Sequence, residues 1–344
     1  MRYLVLVTDY DGTLAMGGKA DESTLSALER LRMSGRRAIL LTGRQLDDLL
    51  TVCPRLSVFD YVVAENGAVL YEPRTRQQTL LGKPPPAWFL RRLRELTGNS
   101  IGVGKVIVDT RVPHHTAVLQ AIQEMGLELQ IVFNRDAVMV LPAGVNKASG
   151  MDHALRKLGL SPHEAIGIGV AQNDHSFLES CECAVAVANA LPAIRELAAF
   201  TTAGEAGQGV AEVIDELIAN DFSRMHGQLE NNLVTIGTGS DGKPVTNPTY
   251  GLNILVAGPS GSGKSTFTAG LVERLIDRAY QVCMVDPEGD YGTLPQVLTL
   301  GGPRHAIPVN EALALLEDPT LNLNLNLLGI PLADRPQYFG HLFP

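Results

Sequence analysis

The segment at residues 9–13 (DYDGT) places two carboxylates, Asp9 and Asp11, directly after the apolar run 3–8 (YLVLVT). A continuous apolar run predicts a strand buried on both faces, and ligands bind at the carboxyl ends of such strands in open α/β sheets. One loop can therefore present a carboxylate nucleophile, able to form an aspartyl-phosphate, together with a proton donor. Gly12 permits the tight turn that this arrangement needs.

Further polar side chains follow other predicted strands. The apolar run 38–42 (AILLT) ends in Thr42, whose hydroxyl, with the backbone amide of Gly43, suits a phosphate oxygen. Lys147 begins a predicted helix, and its ammonium could neutralise the charge of a phosphate and its nucleophile. Asn173 and Asp174 follow the apolar run 165–169 (AIGIG). We expect these residues to converge at one edge of a sheet.

A second chemical signature lies at residues 258–265 (GPSGSGKS), which match the phosphate-binding pattern G-x-x-x-x-G-K-[ST]. The run 252–257 (LNILVA) before it predicts a strand, and the pattern at 266–278 predicts a helix. Lys264 would reach the β- and γ-phosphates of a nucleotide, and Ser265 would bind Mg²⁺. The predicted nucleotide-binding residues are Gly258, Gly261, Ser262, Gly263, Lys264, Ser265 and Thr266.

The order of strand and helix patterns predicts the elements that hold these residues. Alternating strands and helices over the first 220 residues indicate an α/β fold with a doubly wound parallel sheet, formed by residues 1–81 and 143–220. Residues 82–142 break that rhythm with an α-β-α-β-β pattern, typical of a small inserted α+β domain with an antiparallel sheet. The polar residues 221–250 predict a linker with a hairpin. Residues 251–344 begin a second α/β domain.

Composition excludes several classes of protein. The 344 residues carry 28 basic and 37 acidic side chains, a net charge of −9, which disfavours a general nucleic-acid binder. A hydrophobic content of 45 % excludes global disorder, and four cysteines are too few for a disulfide framework. Apolar stretches stay shorter than the roughly 18 residues of a membrane helix. We therefore expect a soluble cytoplasmic protein with no membrane partner.

Five segments, in order, resemble the haloacid dehalogenase (HAD) superfamily, specifically the Cof-type phosphatases with a type-II cap. They are residues 9–15 (DYDGTLA), 40–44 (LLTGR), 64–68 (AENGA), 144–150 (GVNKASG) and 173–178 (NDHSFL). The resemblance covers about residues 1–220 and implies a HAD Rossmann-like core, with residues 82–142 as a cap that shapes the substrate pocket. Small-capped relatives often act on sugar phosphates or phosphoglycolate.

The resemblance also implies roles for single residues. Asp9 would be the nucleophile and Asp11 the general acid and base, while Thr42 would bind phosphate and Lys147 would stabilise charge. The residues predicted to bind the substrate phosphate are Gly12, Thr42, Gly43, Lys147 and Asn173. The predicted metal ligands are Asp9, Asp11 and Asp174, with Ser265 in the second domain.

One position departs from the family pattern. The family usually reads G-D-x-x-N-D at its fourth motif, where the first aspartate is a direct Mg²⁺ ligand, but residues 169–174 read GVAQND. Val170 stands at the ligand position, and an isopropyl group supplies none of the oxygen ligands that Mg²⁺ needs. Either water or Asp174 substitutes, or metal binding is weak, so a degenerate phosphatase is an alternative.

The second domain resembles the HerA–FtsK class of ATPases over about residues 250–301, with adenylylsulfate-kinase-like enzymes as the alternative. The resemblance rests on residues 285–291 (VDPEGDY). This segment overlaps the end of a predicted strand at 281–286. That strand ends in Asp286, as a Walker B strand does, but it follows the P-loop helix immediately. A complete P-loop domain of about five strands with crossover helices needs more chain than residues 251–344. We therefore expect a partial P-loop NTPase domain.

Together these features predict a Mg²⁺-dependent phosphatase for a small phosphorylated metabolite, fused to a module that binds ATP or GTP. One alternative is an ATP-binding or motor ATPase whose HAD domain is degenerate and regulatory. The other is a small-molecule kinase. DNA would be a partner only if the P-loop half belongs to a DNA-pumping ATPase.

Overall fold

The computed structural model describes residues 1–223, 233–249 and 253–342. The chain divides into two compact units, Met1–His226 and Gly227–Pro344. Residues 224–232 and 250 of the predicted linker, and residues 251, 252, 343 and 344 of the predicted second domain, lie outside the described residues.

The first unit alternates strands and helices as the sequence predicts. Its strands are β1 (Val5–Asp9), β2 (Ala15–Met16), β3 (Lys19–Ala20), β4 (Arg37–Leu41), β5 (Tyr61–Ala64), β6 (Val69–Glu72), β7 (Gln77–Leu80), β8 (Gly102–Val103), β9 (Val108–Arg111), β10 (Leu129–Asn134), β11 (Ala137–Pro142), β12 (Ala165–Gly169), β13 (Cys183–Ala186) and β14 (Phe200–Thr201). Its helices are α1 (Glu22–Met33), α2 (Leu46–Val52), α3 (Ala87–Thr97), α4 (His115–Met125), α5 (Lys147–Leu158), α6 (His175–Ser180), α7 (Pro192–Leu197) and α8 (Ala206–Asn220).

The main sheet has the strand order β14-β13-β12-β1-β4-β5-β6-β7. β1 is central, pairs in parallel with β4 and β12, and is buried along its whole length, as its apolar sequence requires. The predicted doubly wound parallel sheet is therefore confirmed. Only β6 and β7 run antiparallel to their neighbours, at one edge. The carboxyl ends of β1, β4 and β12 meet at one edge of the sheet.

The inserted segment forms a separate antiparallel sheet of order β10-β11-β9-β8. Helices α3 and α4 pack against one another, and Phe89, Leu93, Val118 and Val140 form part of the insert's own apolar core. We call this inserted segment the cap. The predicted strand at 105–109 forms only from Val108 onward. Residues 105–107 instead donate their backbone amides to the carboxylate of Glu65, which takes them out of the sheet.

The second unit begins with the predicted hairpin, β15 (Leu233–Thr238) and β16 (Pro244–Pro248). It continues with α9 (Lys264–Ile276), β17 (Cys283–Asp286), β18 (Leu298–Gly301), α10 (Val309–Leu316), β19 (Leu323–Asn326) and α11 (Arg335–Leu342). The three strands form a parallel sheet of order β17-β19-β18. Parallel pairing agrees with the predicted P-loop class of fold.

The predicted strand at 252–257 is wrong for its described part, because residues 253–257 form no strand. Leu255 is 90 % exposed and Ile254 is 45 % exposed, so the apolar side chains of this segment are not buried in a sheet. A strand needs a neighbour to satisfy its backbone hydrogen bonds, and no described strand pairs with these residues. An apolar run is therefore not sufficient to predict a strand at this segment.

Among the described residues, every helix is too short or too polar to span a bilayer.

Candidate functional site

Asp9, Lys147 and Asp174 form a buried triad at the carboxyl edge of the main sheet. Asp9 ends β1, Lys147 opens α5, and Asp174 follows β12. Lys147 Nζ lies 2.5 Å from Asp9 Oδ1 and 2.6 Å from Asp174 Oδ1. The Asn146 side chain caps α5 and so fixes where the helix, and with it Lys147, begins. The expected convergence of these residues is therefore present.

The electrostatics of the triad follow from two carboxylates sharing one ammonium in a buried site. Burial, reinforced by the charge of Asp174, raises the pKa of Asp9 to about 7, although Lys147 opposes the shift. Burial alone would favour neutral Lys147, but the two carboxylates outweigh it and raise the pKa of Lys147. Lys147 is therefore a permanent cation beside Asp9.

Asp174 is fully committed to contacts within the protein. Its Oδ1 accepts from Lys147, and its Oδ2 accepts from the backbone amides of Val170 and Ala171, each at 2.8 Å. It thereby fixes both the lysine and the loop after β12. Its role as a metal ligand remains a prediction.

Predicted phosphate-binding residues lie around Asp9. Thr42 Oγ1 accepts from the backbone amide of Arg44, so the hydroxyl can still donate its own proton to a phosphate oxygen. A methyl group on Gly43 would lie 3.7 Å from Asn173 Nδ2, which places these two residues side by side. Gly12 turns the loop at residues 9–13, where the sequence predicts the nucleophile, with a φ of +83°, where a side chain would be strained.

Asp11 is held by the side chain of Arg44, a contact that the sequence motifs did not indicate. The guanidinium donates to both Asp11 oxygens at 2.7 Å and to Asp48 Oδ2 at 2.7 Å. The Asp11 side chain remains 41 % exposed, unlike the buried Asp9. Exposure and proximity to Asp9 allow Asp11 to meet the leaving group of a substrate.

A cleft of about 520 Å³ opens between these core residues and the cap. Its cap lining consists of Asp109, Arg111, Asn134, Ala137 and Met139. The sequence placed the cap over the site but could not indicate which of its side chains reach the cleft, because that depends on how the cap sits on the core. The cleft combines the carboxylates of Asp9 and Asp11 with cap residues of mixed charge.

Glu65 is a second residue that sequence reasoning missed. It lies in the quoted segment AENGA, and its fully buried carboxylate accepts from the amides of Lys105, Val106 and Ile107 at 2.8–3.1 Å. These amides belong to the chain leading into β9 of the cap. Glu65 therefore ties the cap to the core.

The side chains at the triad do not fit a divalent-cation site. Val170 stands where the family has a ligand, both oxygens of Asp174 are engaged, and both oxygens of Asp11 are paired with Arg44. Mg²⁺ requires near-octahedral oxygen coordination. The described residues contain no group of three histidine, cysteine or acidic side chains placed to hold a metal.

In the second unit, the predicted P-loop residues precede and open α9. Gly261 and Gly263 adopt φ values of +78° and +89°, which curl the loop before Lys264 starts the helix. Lys264 Nζ donates to the carbonyl of Pro259 at 2.9 Å. Gly258, Ser262, Ser265 and Thr266 occupy the same loop and first helical turn. The loop therefore lies at the N-terminus of α9, the end of a helix that favours anions.

Two acidic residues, Asp286 at the end of β17 and Asp290 after it, make different contacts. Asp286 accepts from the backbone amides of Gly289, Asp290 and Tyr291, so it caps a turn. Asp290 Oδ2 instead accepts from Ser265 Oγ at 3.1 Å. Asp290, which the sequence reasoning did not single out, is therefore the acid that contacts the P-loop serine.

Comparisons with known proteins match each unit to a family. Residues 6–83 and 95–214 match the family model described as haloacid dehalogenase-like hydrolase. Residues 252–331 match the model described as Helicase HerA, central domain.

Individual relatives resemble the first unit. A phosphoglycolate phosphatase of Methanothermobacter thermautotrophicus is 29 % identical over 217 residues, covering 61 % of this chain and 96 % of the relative. Phosphoglycolate phosphatase 2 of Saccharolobus solfataricus is 25 % identical over 231 residues, covering 64 % and 95 %. The fold resembles a haloacid dehalogenase-like hydrolase of Bacteroides thetaiotaomicron, with a TM-score of 0.53, 17 % identity and coverage of 62 % and 99 %.

Proposed function

Because this chain belongs to the haloacid dehalogenase-like hydrolases, we propose that its first unit hydrolyses phosphoric monoesters of small metabolites through an aspartyl-phosphate at Asp9. The observation that carries this proposal is the contact of 2.5 Å between Lys147 Nζ and the Oδ1 of Asp9, a residue that lines the cleft. A buried ammonium there holds the nucleophile and offsets the negative charge that a phosphate brings.

The reaction would run in two displacements. The Asp9 carboxylate attacks phosphorus, the bond from phosphorus to the ester oxygen breaks, and Asp11 gives its proton to the departing alkoxide. Asp11 then takes a proton from water, whose oxygen attacks the phosphorus, so that inorganic phosphate leaves and Asp9 is restored. Arg44 holds Asp11 on both oxygens, so Asp11 must release at least one contact when it carries a proton.

Thr42, Gly43 and Asn173 would hold the non-reacting phosphate oxygens, with Gly12 leaving room for the phosphate beside the loop. Thr42 contributes a buried hydroxyl, and Asn173 Nδ2, which donates to Asn66 Oδ1 at 3.1 Å, is oriented by that contact. Placement of these groups around Asp9 supports their assignment.

Phosphoglycolate is the substrate that we favour, with sugar phosphates as the alternative. The cleft is lined on its cap side by Arg111 and Asn134, a cation and an amide that suit a second anionic group such as a carboxylate. The names of the curated relatives point the same way. A sugar phosphate would use Asn134 and Asp109 through its hydroxyl groups.

Phosphatases of this family typically use Mg²⁺, and the sequence predicted it for this chain. Because the side chains present do not fit an octahedral site, the proposed reaction uses only the chain's own residues. The assignment of Asp9, Asp11 and Asp174 as metal ligands stays a prediction.

For the second unit we propose binding of ATP or GTP, with Lys264 on the phosphates and Ser265 on a nucleotide-bound Mg²⁺. A separate cavity of about 520 Å³ borders Lys264, Ser265 and Asp290, which supports this assignment. A motor role, with DNA as partner, and a small-molecule kinase are the alternatives.

The test of the phosphatase proposal is phosphate release by the purified chain from phosphoglycolate and a panel of sugar phosphates. Release that disappears in the Asp9→Asn variant supports the proposal, since an amide cannot form the acyl-phosphate. Equal release by that variant and the parent would refute it.

A further inference from the structure

The loop after β12 places an apolar side chain, Val170, beside the nucleophile loop. The proposed reaction needs a positive charge in this part of the site. Val170 is 1 % exposed, and its Cγ1 would lie 3.4 Å from a methyl group placed on Gly12 of the nucleophile loop. Valine there attracts no cation. Asp9 and an incoming phosphate are both anionic, so their repulsion must be offset by some other group.

An arginine of the cap reaches the same point. Arg135 Nη2 would lie 3.8 Å from that methyl group on Gly12, next to Val170. Arg135 belongs to the turn between β10 and β11 and has a φ of +53°, in the left-handed region. The turn therefore brings a guanidinium from the cap to the nucleophile loop.

The two cations that contact Asp9 and Asp11 are already committed. Lys147 is shared by Asp9 and Asp174, and Arg44 is shared by Asp11 and Asp48. Arg135 differs, because none of the carboxylates in the described ranges forms an ion pair with it. Its charge is available for a ligand.

We propose that Arg135 supplies, at the nucleophile loop, the positive charge that a divalent cation would otherwise supply. Since it rests on the proposed hydrolysis at Asp9, the inference makes Arg135 a catalytic residue and the hydrolysis independent of added divalent metal. A guanidinium presents several N–H donors in one plane, which suits two oxygens of a phosphoryl group. It would stabilise the charge that spreads over those oxygens during transfer.

The location of Arg135 in the cap links phosphate recognition to the cap. The charge is carried by the element that lines the substrate side of the cleft, so phosphate recognition and cap placement are coupled. Bond making and breaking are unchanged, because the arginine exchanges no proton and no electron.

The test compares the full chain with Arg135→Ala and with Arg91→Ala, a matched control that removes an exposed arginine from α3 of the cap. Hydrolysis is measured after exhaustive chelation and again with added Mg²⁺. We expect the parent and Arg91→Ala to change by less than about twofold on chelation, while Arg135→Ala loses kcat by about 10²-fold, as for a lost oxyanion donor. Metal-dependent turnover in the parent, or a loss confined to KM, would overturn the proposal.

Orthovanadate binding, measured by calorimetry in chelator, gives a readout that does not depend on turnover. Binding by the parent that is lost in Arg135→Ala supports the role of the arginine. The proposal is overturned if the parent binds vanadate only with Mg²⁺ and not in chelator, or if both proteins bind vanadate equally. If vanadate binds through Arg135 but no monoester is hydrolysed, the proposed function fails and the phosphoryl-binding role of Arg135 stands.

Discussion

Lys147 Nζ lies 2.5 Å from Asp9 Oδ1, and the same ammonium lies 2.6 Å from a second carboxylate, that of Asp174. Two negative charges therefore share one positive charge in a buried part of the cleft. The pKa of Asp9 rises to about 7, chiefly through burial and then through Asp174. A carboxyl with that pKa is half protonated near neutral pH, which makes its ionisation visible in both rate and stability.

The first prediction concerns the pH dependence of the rate. Only ionised Asp9 can attack phosphorus, so we expect kcat/KM for the free enzyme to rise about tenfold per pH unit below pH 7 and this rise to end near pH 7. Initial rates of phosphate release between about pH 5 and pH 9 measure the profile. A flat profile below pH 7 would show that Asp9 is ionised throughout.

The second prediction concerns stability. A carboxyl whose pKa is higher in the folded chain than in the unfolded one contributes stability at low pH, and that contribution is lost as the pH rises through the folded value. For Asp9 the loss spans from its ordinary pKa of 3.8 to about 7. Asp9→Asn leaves a balanced pair of Lys147 and Asp174. We therefore expect its Tm, relative to the parent, to increase from pH 5 to pH 8.

Asp47→Asn is the matched control for this measurement, because the Asp47 side chain is 76 % exposed. Its Tm difference from the parent should stay constant over the same pH range. A constant difference for Asp9→Asn as well would contradict the raised pKa of Asp9.

Motifs and apolar runs allowed the sheet and the core of the site to be predicted. Asp9, Thr42 and Asp174 lie at or shortly after the ends of buried strands, and Lys147 begins a helix. Parallel strands end at a common edge, so proximity in space followed from strand order. These contacts follow from strand order and not from closeness in the sequence, since Asp9 and Lys147 are 138 positions apart.

Contacts between core and cap could not be predicted in this way. Glu65 accepts from the backbone amides of residues 105–107, and Arg135 lies near Gly12, so both residues join the cap to the core. Nothing in the spacing of the sequence reports how the cap is placed. The strand predicted at 252–257 was wrong for a different reason. Apolar content indicates a strand, but it does not supply the neighbouring strand that backbone hydrogen bonding requires.

The third prediction follows from the buried carboxylate of Glu65. In Glu65→Gln, one oxygen that accepts from backbone amides becomes an NH₂ group, which faces another donor and leaves an amide of the cap unpaired. We expect the first unit to lose about 1–3 kcal/mol of unfolding free energy, the usual cost of an unsatisfied buried donor. Urea unfolding of the full chain, followed by hydrogen exchange at residues 105–107, measures the loss.

Glu72→Gln serves as its control, since Glu72 lies at the end of β6, where its side chain contacts the exposed Thr75. That variant should unfold like the parent. Equal stability of Glu65→Gln and Glu72→Gln would mean that the contacts of Glu65 with the cap contribute nothing.

The fourth prediction separates the two units. Lys264→Ala removes the ammonium from the P-loop, so we expect binding of ATP or GTP to be lost, while phosphate release at Asp9 is unchanged because its residues belong to the first unit. Calorimetric titration with each nucleotide gives the affinity. Asp9→Asn should show the converse pattern. Equal nucleotide affinity in Lys264→Ala and the parent would reject the P-loop assignment.

The last prediction returns to Val170. Val170→Asp would place an anionic oxygen beside the nucleophile loop, at the position where related enzymes hold Mg²⁺. Combined with Arg135→Ala, which removes the cap cation, the substitution should make hydrolysis depend on Mg²⁺ and restore a rate well above that of Arg135→Ala alone. Val170→Asn is the matched control, since it has nearly the same size without the charge. A Mg²⁺ titration of turnover compares Arg135→Ala with the two double variants that add Val170→Asp or Val170→Asn to it. If Val170→Asp gains neither metal affinity nor rate over Val170→Asn, then the side chain at position 170 does not decide whether this site holds a metal, and the prediction is wrong.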